Sequence, residues 1–194
     1  NIMASILSPN TRPQMASIRP NTFQVKPADK PSQMQVTEIM GGTVAESRVQ
    51  RVGVRKKDQV FRDVSEAEFI LGGGYGLGKE GFLLLQELAD LTNAAIGATR
   101  KPVDLGWVPY DIQIGQTGKT VAPKLYINFG VSGALQHSIG IKNAKKIISV
   151  NNDPVAPIFT QSNVAILGDA KAIIEELIKL VKEQGPQALM NWNG

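Results

Sequence analysis

From Ser65 onward, short runs of β-branched and apolar residues alternate with longer stretches whose apolar residues return every three or four positions. EFILGG, AAIGA, KLYINFG, KKIISVN and NVAILG have the length and composition of strands. Phe82, Leu85, Leu88 and Ala89 place one apolar stripe on a helix over roughly Glu80–Thr92. Ile173, Ile174, Leu177, Ile178 and Val181 do the same for a last helix, with Asp169 set to cap its start and Gly185-Pro186 to stop it. A long loop separates AAIGA from KLYINFG, and a short helix follows Ser132. This βα repetition predicts an α/β fold, a parallel Rossmann-like sheet with helices on both faces and right-handed crossovers.

Residues 1–62 follow a different pattern. IMASIL, MASIRP, MQVTEI and RVQRVGVR are strand-like runs, punctuated by Pro9, Pro13, Pro20, Pro27 and Pro31, and no helical period joins them. So few strands without a covering layer need another surface to pack on. The expected organisation is a strand-rich segment and linker over 1–62, then a domain over 63–194. The stretch 187–194 is polar apart from Leu189, Met190 and Trp192, a composition that suits a fraying or docking tail.

Composition narrows the chemistry. The 194 residues include no cysteine and one histidine, which excludes disulfides and thiol catalysis and leaves only carboxylates for a metal, so none is expected. The net charge of +4 is concentrated in Arg48–Lys57. That run contains no aromatic residue and reads as a solvated strand and linker, with a phosphate-binding patch as its alternative; nucleic acid is not an expected partner. No apolar run reaches the ~18 residues of a membrane span and no signal peptide is visible. Residue 1 is Asn, so the chain is expected not to begin where its gene does.

The stretch Gly97–Ala134 places Arg100, Gln113, Gln116, Thr117 and several glycines between two strand runs, a composition suited to cradling a nucleotide-like ligand at a sheet edge. Three further features flank it. The run Gly72–Gly78 is either a backbone approach to a phosphate or flavin edge or simply a tight strand-to-helix turn; it matches neither GxGxxG nor a Walker loop. Gly130-Val131-Ser132-Gly133-Ala134 resembles a nucleophile elbow, but its fifth position is Ala134 and the sole histidine, His137, lies on the same short helix. An anion site in which Ser132 caps that helix is the better reading. His137 is either a packing residue or, with Arg100, a donor to a ligand that gains negative charge. Asn151 and Asp169 end strand runs where ribose and adenine are commonly held, although Asp169 serves equally as a helix cap.

GATRKPVDLGWVPYDIQIGQTG, NFGVSGALQH, SVNNDPVAPIF and AILGD, in that order, closely resemble the FAD-binding domain of the electron transfer flavoprotein α subunit, over about Glu66–Leu180. RPQMASIRPNTF is similar to the closing strands of that family's N-terminal domain, whose beginning is absent, so the resemblance implies a fragment. It further implies FAD as cofactor, with Arg100 beside the flavin ring, His137 near its C2 carbonyl, and the Thr117 hydroxyl toward N5. Gln113 and Gln116 belong to the same cradle. Thr99 stands where many relatives have serine. Ser132, Gly133, Ala134 and Gln136 match the pyrophosphate and ribityl region, and Asn151 and Asp169 the adenosine half. GGGYGLG replaces the GGRGL frequent in relatives, so a cation is missing there.

The implied function is electron transfer, in which a guanidinium and a histidine donor stabilise an anionic flavin semiquinone. The implied partners are a β subunit, in a heterodimer, and an acyl-CoA dehydrogenase-type or other flavin dehydrogenase, as in fatty acid oxidation. The compartment would be the bacterial cytoplasm or the mitochondrial matrix. A truncated sheet with open edges also favours self-association. The alternative from the residues alone is a noncatalytic module that holds NAD or AMP for regulation.

Overall fold

The computed structural model describes residues 7–18, 49–50, 52–53 and 61–189. Five strands form one all-parallel sheet: β1 (Phe69–Gly73), β2 (Ala95–Ala98), β3 (Leu125–Phe129), β4 (Lys146–Asn151) and β5 (Val164–Leu167). Their order is β2-β1-β3-β4-β5, with Leu71 level with Ile96 on one side and Ile127 on the other. β1, β2 and β3 are buried at every residue, as parallel strands covered on both faces must be, whereas β5 alternates between half-buried and exposed.

Period-two alternation divides the core. Leu71, Ile127, Phe129, Ile148 and Val150 face one layer, and Ile70, Tyr126 and Ile147 face the other. The first layer is closed by α1 (Gly78–Thr92) and α4 (Ala170–Gln184). They present the predicted stripes, Phe82, Leu85, Leu88 and Ala89 from α1 and Ile174, Ile178 and Val181 from α4. Glu80–Lys171 and Glu87–Lys182 pairs bridge the two helices at 3.4 and 2.7 Å, exposed contacts that add little stability. Asn93 ends α1 in the left-handed region, φ 59°, where its N–H reaches Ala89 O. The second face is thinner, covered by α3 (Leu135–Ile141), a 3₁₀ turn over Pro157–Gln161, and the loop carrying Ile114 and Val121.

Two expectations need correction. The loop between β2 and β3 contains a short helix, α2 (Arg100–Asp104); Pro102 sits in its first turn, where a missing N–H costs no hydrogen bond. Residues 7–18, which include most of the MASIRP run, hold no strand, and Met15 and Ile18 are exposed. A strand persists only where a neighbour takes its backbone groups, and none among the described residues does so. The remaining strand-like runs of 1–62, most of the basic run and residues 190–194 lie outside the described residues.

Candidate functional site

A cavity of about 560 Å³ opens at the carboxyl ends of β1 to β4, within the ~300–1,000 Å³ usual for cofactor sites. The strand order puts it where a 2-1-3-4-5 sheet reverses direction, between β1 and β3. Of the residues singled out in the sequence, Thr99, Arg100, Gln113, Gln116, Thr117, Ser132, Gly133, Ala134, Gln136, His137 and Asn151 all line it. Asp169 does not. It follows β5, at the far edge of the sheet, and its Oδ1 accepts the Ala172 N–H at 2.9 Å as the cap of α4.

Backbone pairing explains the convergence. After α2 the chain returns to the edge of β2, where Ile114 N–H donates to Ala98 O at 2.9 Å, so Gln113 to Thr117 come back beside Thr99 and Arg100. Gln116 N–H then donates to Gln136 O at 2.7 Å, tying this loop to α3. Gln113 is buried, and its Nε2 donates to Thr117 Oγ1 at 3.0 Å; the hydroxyl proton of Thr117 is thereby left for another acceptor. Arg100 is largely exposed, and its Nε pairs with Asp104 Oδ2 at 3.2 Å.

The glycine run after β1 is a seam between two loops. Gly74 N–H donates to Phe129 O at 2.9 Å and Gly76 N–H to Gly130 O at 3.0 Å, so neither is available to a phosphate. A side chain on Gly74 would collide with Gly130 O, and one on Gly130, at φ 62°, with the Leu77 amide. The tight-turn reading of this run therefore describes it. The loop after β3 is different, because the N–H groups of residues 132–136 meet no acceptor among the described residues. Contrary to expectation, Ser132 does not cap α3; the chain enters the helix two residues later, at Ala134, which has no side-chain cap. Asn151 braces this loop, since its Nδ2 donates to Val131 O at 2.9 Å and its Oδ1 accepts the Asp153 N–H at 3.0 Å.

His137 is buried, with Nδ1 3.0 Å from Ile114 O and Nε2 3.0 Å from the Tyr126 hydroxyl. Burial lowers its pKa to about 4, against a smaller opposing effect of the Ile114 carbonyl, so the ring is neutral at pH 7. Both nitrogens are committed to the protein, which leaves Ser132 without a general base and removes the hydrolase reading.

Residues 63–142 match the family described as the electron transfer flavoprotein FAD-binding domain. The curated relatives agree. The electron transfer flavoprotein subunit alpha of Thermoanaerobacterium thermosaccharolyticum is 39% identical over 186 residues, which are 94% of this chain and 56% of that protein. The mitochondrial subunit alpha of Arabidopsis thaliana is 38% identical, over 95% of this chain and 53% of its own length. The acryloyl-CoA reductase electron transfer subunit beta of Anaerotignum propionicum is 36% identical, over 94% and 52%. The chain carries, over residues 63–142, a domain of the electron transfer flavoprotein FAD-binding family. It spans about half the length of these relatives.

The site suits the family's cofactor. Unsatisfied N–H groups over 132–136 match a pyrophosphate, the Thr117 proton an acceptor on a ring edge, and the Arg100 guanidinium a group that becomes negative. Sequence reasoning missed Tyr75, Asp153 and Pro157, which also line the cavity. Asp153 carried a readable signal, a polar residue just past the end of a strand, whereas Tyr75 was hidden in a glycine run. Tyr75 stacks on Trp107 with ring centroids 5.7 Å apart.

Proposed function

We propose that this chain is the flavin-holding part of an electron carrier, residues 63–194 forming the FAD domain and residues 1–62 the end of a preceding one. FAD supplies the electron chemistry, accepting and releasing electrons one at a time or in pairs. The observation that carries the reading is the run of N–H groups over 132–136 at the rim of a cavity that also holds Arg100 and the free Thr117 proton. Ser132, Gly133, Ala134 and Gln136 would hold the pyrophosphate and ribityl region, and Asn151 would keep their loop in place. Thr99, Arg100, Gln113, Gln116, Thr117 and His137 would border the ring. Arg100 then favours negative charge on it, and Thr117 donates to the ring edge.

The electron donor in this reading is an acyl-CoA dehydrogenase-type or other flavin dehydrogenase, and the partner is a β subunit that completes a heterodimer. The subunit designations in the names of the curated relatives support a partner subunit. No helix among the described residues is long and apolar enough to cross a membrane. A bacterial cytoplasm or a mitochondrial matrix fits the sources of the relatives. The test is to purify the protein, add FAD, and follow the visible spectrum through a reductive titration with and without the β subunit. Bound FAD and a lower first-electron potential in Arg100→Ala are expected. A colourless protein that does not take up FAD, or one that releases NAD or AMP on extraction, would overturn the proposal.

A further inference from the structure

The loop after β3 is held by its carbonyl groups. Val131 O accepts from Asn151 Nδ2 at 2.9 Å, and Ser132 O from the Ile158 N–H at 3.0 Å. The next two, Gly133 O and Ala134 O, share the Ser138 hydroxyl, each 3.2 Å from its Oγ. A trans peptide is planar, with its C=O and the following N–H pointing opposite ways. Anchoring these carbonyls to protein groups therefore fixes where the N–H groups of residues 132 to 135 point, and those N–H groups meet no acceptor among the described residues. Ser132, Gly133 and Ala134 line the cavity, whereas Ser138 and Ile158 stand outside its lining. The carbonyls are drawn away from the cavity, and the N–H groups are left to it.

A serine inside a helix commonly bonds the carbonyl four residues back, and a contact from Ser138 to Ala134 alone would be no more than that. Ser138 does more. Its hydroxyl also reaches Gly133, outside α3, and it is met from another element by Gln161 Nε2 at 2.6 Å. A hydroxyl has one proton, and with that proton on the loop carbonyls Oγ accepts from Gln161, which fixes the amide as the donor. Gln161 ends the 3₁₀ turn that also carries Ile158. A relay of side chains ties this turn to the sheet: Asn128 Nδ2 donates to Ser149 Oγ at 2.7 Å, Ser149 to Ser162 Oγ at 2.6 Å, and Ser162 to Ile158 O at 2.9 Å. We propose that Ser138, held by Gln161, is a positioning residue for the cavity loop, fixing the peptide planes at Gly133 and Ala134 so that the following N–H groups face a phosphate. That this phosphate belongs to FAD rests on the function proposed above; the anchoring of the loop does not.

Inorganic pyrophosphate probes the loop without a flavin. Titrated into the FAD-free, nitrogen-15-labelled protein, it should shift the amide signals of Ala134 and Leu135 saturably. In Ser138→Ala, with the amide signals of the sheet preserved, the dissociation constant should rise roughly two- to tenfold, the range of one net hydrogen bond. Gln161 is exposed, so Gln161→Leu should keep the fold and give a smaller loss in the same direction. The double variant should bind no more weakly than Ser138→Ala, because Gln161 acts through the hydroxyl. FAD affinity should fall by the same factor in Ser138→Ala, while the visible spectrum of FAD at saturation stays that of the wild type. Amides of Ala134 and Leu135 that ignore pyrophosphate, an unchanged affinity in Ser138→Ala, or losses that add in the double variant would overturn the proposal. If Ser138→Ala does not fold, Gln161→Leu decides, and an unchanged pyrophosphate affinity there overturns it. A wild type that takes pyrophosphate but not FAD would sink the proposed function and leave this inference standing; one that binds FAD with no effect of Ser138→Ala would do the reverse.

Discussion

Gln113 Nε2 and Thr117 Oγ1, 3.0 Å apart across one turn of loop, set the direction of a proton. Because the hydroxyl accepts from the amide, it has its own hydrogen to give. Thr117→Val keeps the shape but leaves a buried amide N–H without its partner, which costs about 1–3 kcal/mol. Denaturant unfolding should show that loss, and the visible spectrum of bound FAD should shift. Thr117→Ser should restore both. A spectrum unchanged in Thr117→Val would remove the hydroxyl from the ring edge.

His137 predicts an acid-sensitive native state. Its pKa falls from the ordinary 6.5 to about 4 on folding, so between those values the unfolded chain binds a proton that the native one refuses. Stability therefore rises with pH across this window and is lost on acidification, by up to about 3 kcal/mol at 1.36 kcal/mol per unit. Above pH 6.5 the histidine contributes nothing either way. Asp63 cannot account for a loss there: the Lys119 hydrogen bond lowers its pKa, so its stabilisation is present above 3.8 and disappears only at lower pH. Urea midpoints of the FAD-free protein at pH 7 and 4.5 should separate, and in His137→Gln the gap should narrow. Equal gaps in the two proteins would contradict the buried neutral assignment.

The loop seam predicts a severe effect from a small change. Gly130→Ala forces a positive φ on a residue with a Cβ and drives that Cβ into the Leu77 amide. Both the β1 and β3 loops would have to separate, so a loss of several kcal/mol is expected, well above the ~1 kcal/mol typical of a point change. Gly106, also at positive φ but with open space around it, should tolerate alanine far better. Comparing the two thermal midpoints isolates steric collision from backbone strain.

Most of this architecture was legible because each element repeats its own period. EFILGG and KLYINFG are short apolar runs, and both became strands buried at every residue. The stripes of α1 and α4 were equally direct. What could not be read were features set by pairing across the sheet. Arg100 read as the end of a strand run, yet it opens α2, because five residues are too few for a helical period to show. Ser132 had the chemistry of a cap, but the chain enters the helix at Ala134, where the loop is held by Asn151 from a neighbouring strand. The Tyr126–His137 contact joins residues from two elements and left no mark in either.

Asp169 separates local capping from ligand contact. Its carboxylate receives the Ala172 N–H, and it stands outside the cavity lining, so the family-derived contact to adenosine predicts one thing and the fold another. If capping is its role, Asp169→Ala should destabilise the protein by about 0.5–2 kcal/mol, and Asp169→Asn, which keeps an accepting oxygen, should be nearly neutral. FAD affinity, read by fluorescence titration of the stably folded variants, should stay unchanged in both. A tenfold loss of affinity in Asp169→Asn without loss of stability would instead mean that the bound adenosine reaches past β4 to the edge strand.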